Sequence, residues 1–122
     1  MGCGTPVFFE AEVMPTPVEG NEKLLKDLNA TITLRRHEKG NFNVDIQMNC
    51  RGQTRNIQLY NSEFNYLKED KIFTFFSLVK FNPAKQQGRK VNCTFHYLVT
   101  YKKGNFTEVK IQPGTSYNGR MR

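Results

Sequence analysis

The side chains able to do chemistry in this 122-residue chain are few. His37 and His96 are its only imidazoles, so a nucleophile activated by a histidine base would have to pair with one of them. His37 stands beside a turn signal and His96 on the polar face of an alternating run. Neither is accompanied by a Gly-x-Ser-x-Gly elbow or a glycine loop that cradles phosphate. Cys50 and Cys93 with His37 lack the spacing of a zinc site. Glu69 and Asp70 are adjacent carboxylates, and adjacent side chains of an extended strand point to opposite faces. The residue types predict no enzyme, no cofactor and no metal, and a binding protein instead.

Charge is the feature that rises above background. The chain carries a net charge of +7, and residues 1 to 61 are balanced, so the whole excess lies in the second half. From Lys80 onward, Glu108 is the only acid. Such one-sided charge makes a field that gathers anions. Lys85, Arg89, Lys90, Lys102 and Lys103 are the candidate binding residues. Lys102 and Lys103 belong to a hairpin tip, and the other three to the loop that enters the same strand.

Compartment is addressed by the sequon Asn-x-Ser/Thr, present at Asn29, Asn92 and Asn105. Asn105 falls at a predicted turn and Asn92 on a strand face read as outward, so both sites accept a glycan. Cys50 shares the apolar phase of its strand with Ile46 and Met48, and Cys93 shares its own with Phe95 and Tyr97. Both thiols are therefore expected to point inward and to bridge across a core, as disulfides of secreted domains do. Cys3 is then the odd cysteine, free or bonded to another chain. Met1-Gly2-Cys3 is followed by no signal-peptide core, and Pro6 stands where a myristoylation motif wants Ser or Thr. No apolar run is long enough to cross a membrane as a helix.

The elements that must position these groups follow a two-residue period. Apolar residues fall on Ala30, Ile32 and Leu34, then on Phe42, Val44, Ile46 and Met48, with Glu38 to Asn41 read as the turn of a hairpin. Val91, Phe95, Tyr97, Val99 and Tyr101 precede a second turn, Lys102 to Asn105, beyond which Thr107, Val109 and Ile111 share a face. The tetrapeptide Lys-Gly-Asn-Phe occurs at both turns, at residues 39 to 42 and 103 to 106. Val7 to Val13, Thr54 to Tyr60 and Lys71 to Phe81 supply three more strands, the last apolar on both faces and hence central. Glu22 to Leu28 alone reads as a short helix.

Seven short strands predict an all-β, antiparallel, two-sheet sandwich of immunoglobulin-like type over residues 1 to 113, followed by a flexible basic tail over 114 to 122. A small closed barrel is the alternative. The function this implies is an extracellular recognition module, secreted or on the cell surface, which binds a protein or an acidic glycan through loops and the basic half. An alternative is a carrier with an apolar ligand between its sheets, among Phe73, Phe75, Phe76, Phe81 and Phe95. The segment from Gly88 to Cys93 resembles the lipid-recognition sandwiches related to the GM2 activator, which implies such a ligand, although the extra cysteines of that family are missing. A nucleic-acid-binding barrel ranks third, because it requires a reducing compartment without glycans.

Overall fold

The computed structural model describes residues 6–33, 39–60 and 69–114. The molecule is mostly β, with two sheets, and neither closes into a barrel. The elements in chain order are β1 (Val7–Phe8), β2 (Thr16–Pro17), α1 (Asn21–Thr31), β3 (Lys39–Met48), β4 (Thr54–Tyr60), α2 (Glu69–Ser77), β5 (Phe81–Asn82), β6 (Ala84–Gln86), β7 (Arg89–Lys102) and β8 (Asn105–Pro113). Six strands form the main sheet, in which β7 lies between β3 and β8 and also pairs with β1 and β6. The second sheet is the short antiparallel ribbon of β2 and β5.

Strand β7 is the organising element. Its odd residues from Cys93 to Tyr101 are buried, as are Phe42, Val44, Ile46 and Met48 on β3. The register places these sets side by side, with Ile46 opposite Phe95 and Val44 opposite Tyr97. The alternation seen in the sequence is therefore the inner face of one sheet. Strand β4 occupies residues 54 to 60, as predicted, and the β7–β8 hairpin closes at the predicted turn.

What covers that inner face differs from the expectation. Leu24 and Leu28 of α1, with Ile72, Phe75 and Phe76 of α2, join the same core as the strand residues. Phe76 lies 5.5 Å from the Tyr97 ring, and Phe81 of the ribbon lies 5.7 Å from Phe95. Helices and a ribbon thus stand where the sequence suggested a second large sheet. Aromatic pairs at these separations are the preferred packing of ring quadrupoles, so Phe76, Phe81, Phe95 and Tyr97 pack as one cluster at the centre of the core.

Three elements are corrections. The segment read as a central strand, Lys71 to Phe81, is helical through Ser77. Ile72, Phe75 and Phe76 recur at helical spacing and form its inward stripe, with half-buried Val79 just beyond its end, whereas Leu78 is 76 % exposed. The run read as a strand from Ala30 instead finishes α1, which extends the predicted Glu22–Leu28 helix to Thr31. Ile32 then turns extended, in a β-branched run, Thr31 to Thr33, that disfavours further helix. Val7 to Val13 keeps only two strand residues.

The two Lys-Gly-Asn-Phe segments are neighbours in the fold. They lie in one sheet, where Lys39 pairs with Lys102, and Phe42 packs edge-on against Phe106 at 6.4 Å. Of the predicted basic tail, only Gly114 is described, and its N–H donates to the Phe9 carbonyl at 2.8 Å.

Candidate functional site

The β7–β8 turn has two central residues, Lys103 at φ 54° and Gly104 at φ 82°. Positive φ at both positions is the two-residue turn whose twist matches the flanking strands. It leaves Lys102 and Lys103 exposed at the tip. The register then brings Lys39, the first residue of β3, directly opposite Lys102. Three exposed amines from two hairpin arms thus share one end of the sheet. No ion pair to an acid is formed by Lys39, Lys102 or Lys103 among the described residues. Lys39 is the member that sequence reasoning missed. It had been assigned to a turn of its own, and only the β3–β7 register reveals its neighbour.

Lys85, Arg89 and Lys90 are not part of this cluster. They belong to the β6–β7 hairpin, where Lys85 is opposite Lys90 and the turn is Gln87-Gly88, again with positive φ at both residues. From Lys90 to Lys102 the strand rises about 3.3 Å per residue, so the groups are separated by roughly 40 Å of strand. Their surroundings differ as well. Glu12 reaches the far turn and accepts the Gln87 N–H at 2.6 Å, which brings a carboxylate among those cations.

The Cys50–Cys93 bridge is not formed, because Cys93 is a free, buried thiol. Strand β3 ends at Met48, which is the residue opposite Cys93. Asn49 then folds a turn, its Oδ1 accepting the Arg51 and Gln53 N–H groups at 2.9 and 3.0 Å. Cys50 therefore leaves the inward phase, and its own N–H donates to Asn92 Oδ1 at 3.0 Å. Burial pushes the Cys93 thiol up to about 11 from 9.0. Cys3 lies outside the described residues.

The sequon residues are placed differently from one another. Asn105 is exposed at the start of β8, as expected. Asn92 is 1 % exposed, a correction to its reading as outward, and its side chain is held by the contact to Cys50. Asn29 lies on α1 and grips β8: its Nδ2 donates to the Phe106 carbonyl at 2.9 Å, and its Oδ1 accepts the Phe106 N–H at 2.7 Å.

His96 is buried on the outer face of β7, and its Nδ1 lies 3.1 Å from Asp45 Oδ1 on β3. His37 falls outside the described residues. No cluster of three or more His, Cys, Asp or Glu able to hold a metal occurs among the described residues, and no described helix is long and apolar enough to cross a membrane. In comparison with known proteins, the chain matches no family model, no curated protein and no solved structure.

Proposed function

We propose that this chain is a non-enzymatic recognition module of the extracellular type, which captures an acidic protein or acidic glycan at the β7–β8 hairpin tip. The observation that carries the reading is the register pairing of Lys39 with Lys102 beside the turn residue Lys103. Like charges held opposite one another across strands repel, so the arrangement costs stability unless an anion relieves it. Ammonium groups at an exposed tip lose little hydration on meeting sulfate or carboxylate, which suits fast, salt-dependent association. The exposed sequon residue Asn105 supports the extracellular setting.

The original set of five basic residues is thereby reduced and changed. Lys102 and Lys103 are kept, Lys39 joins them, and Lys85, Arg89 and Lys90 form a separate group with Glu12 at the other end. The test is a titration of 15N-labelled protein with a sulfated glycan oligosaccharide. The largest amide shifts are expected at Lys39, Gly40, Lys102, Lys103 and Gly104. Shifts confined to residues 85 to 90, or absent altogether, would defeat the proposal.

A further inference from the structure

Helices α1 and α2 lie over the same sheet face but do not pack on each other. Helices in contact approach to about 8–10 Å and bury their facing sides. Here a cleft of about 820 Å³ separates them. Lining residues recur on α1 at Lys23, Leu24 and Asp27, and on α2 at Lys71, Thr74 and Phe75, so each helix presents one stripe to the gap. Leu24 and Phe75 are buried beneath it. Val18 and Leu78 at its rim are 56 % and 76 % exposed. The ribbon closes one end, where the Val18 N–H donates to the Lys80 carbonyl at 2.9 Å.

We infer that this cleft is a binding site for a single-chain amphiphile whose head group is zwitterionic. Apolar clefts of about 300–1,000 Å³ with a few charged groups are the usual form of small-molecule sites, and this one falls within that range. The 11 residues of α1 at about 1.5 Å each make a trough of about 16 Å, enough for an extended chain of about twelve carbons. Charge selects the head group. Lys23 and Asp27 neutralise each other at 2.6 Å. The remaining lining charges are Lys71 and Lys80 against Glu19 and Asp70, two of each sign. A head carrying both signs finds partners for both. A fatty acid would leave two ammonium–carboxylate sets half used and face two acids, and a cationic detergent would face two amines. The site is independent of the lysine tip, since none of Lys39, Lys102 and Lys103 lines it.

The experiment is calorimetric titration of the full chain with lauroyl-lysophosphatidylcholine below its micelle concentration, with laurate and dodecyltrimethylammonium in parallel. One saturating site is expected, with the zwitterion bound about tenfold or more tightly than either singly charged amphiphile, a difference of about 1.4 kcal/mol. Ala30→Trp with Thr74→Trp, at two exposed lining positions, should fill the cleft and weaken binding at least as much. Leu78→Asn at the exposed rim provides a second variant of lower steric demand and should weaken it several-fold. The triple change Lys39→Glu, Lys102→Glu, Lys103→Glu should leave it unaltered. Absence of saturable binding, equal affinity for laurate, or full affinity in both the folded tryptophan variant and Leu78→Asn would overturn the inference.

Discussion

Cys93 shows how one side chain's setting governs its chemistry. The thiol is fully buried and protonated, and thiol reactivity requires the thiolate. It should resist an exposed-thiol reagent in folded protein at neutral pH and react at once in denaturant. Its raised folded value also fixes a sign: the unfolded chain releases this proton first, so stability is intact below about pH 9 and falls as pH rises toward 11, by at most about 3 kcal/mol. Denaturation across that interval, with Cys93→Ala as control, measures it; no difference in slope would contradict the burial. With Cys93 unavailable, Cys50 has a different candidate partner. Val7 pairs with Asn92, whose Oδ1 takes the Cys50 N–H. The four residues from Cys3 to Val7 span up to about 14 Å. Non-reducing peptide mapping should link Cys3 to Cys50 and leave Cys93 as thiol. The inward phase of Cys93 was legible in the sequence. The loss of phase at Cys50 was not, because it depends on a turn made by the side chain of Asn49.

At the scale of elements, the alternation in β3, β4, β7 and β8 was readable because each strand sets apolar residues on the core face and polar ones on the other, even where, as at Asn92, Thr94 and His96 of β7, the polar face is buried too. The segment from Ile72 to Val79 carried two periods at once. Its phenylalanines satisfied a strand covered on both faces, while positions 72, 75, 76 and 79 satisfied a helix, and tertiary packing against Tyr97 decided for the helix. Asn29 ties α1 to β8 through both polar atoms of its amide. Asn29→Ala should cost about 1–3 kcal/mol, since it leaves the Phe106 peptide without its partners. Chemical denaturation checks this, and a loss below a few tenths would mean that water replaces the side chain freely. In the tip turn, Lys103 adopts a left-handed backbone that asparagine tolerates better. Lys103→Asn should therefore raise stability by about 0.5–1 kcal/mol while it weakens binding of an acidic partner. A parallel fall in both would show that the lysine serves the fold.

For the whole molecule, the sequence located the surplus of positive charge in the second half but not its geometry. Linear proximity joined Lys85, Arg89 and Lys90 to Lys102 and Lys103, and a 14-residue strand keeps them apart. The partner that completes the tip, Lys39, comes from the neutral half of the chain through strand pairing. The second layer was equally hidden, because α2 imitates a two-faced strand and the sequence holds no pattern that names what it packs on. The central claim is that recognition of acidic partners resides at the tip alone. The measurement that tests it most directly is the salt dependence of heparin affinity for three proteins: wild type, the tip variant Lys39→Glu, Lys102→Glu, Lys103→Glu, and the far-end variant Lys85→Glu, Arg89→Glu, Lys90→Glu. The account predicts that wild type and the far-end variant share a steep decline with salt, and that the tip variant binds at least about tenfold more weakly with a flatter slope. Equal affinities in the tip variant and wild type, or a loss confined to the far-end variant, would contradict it.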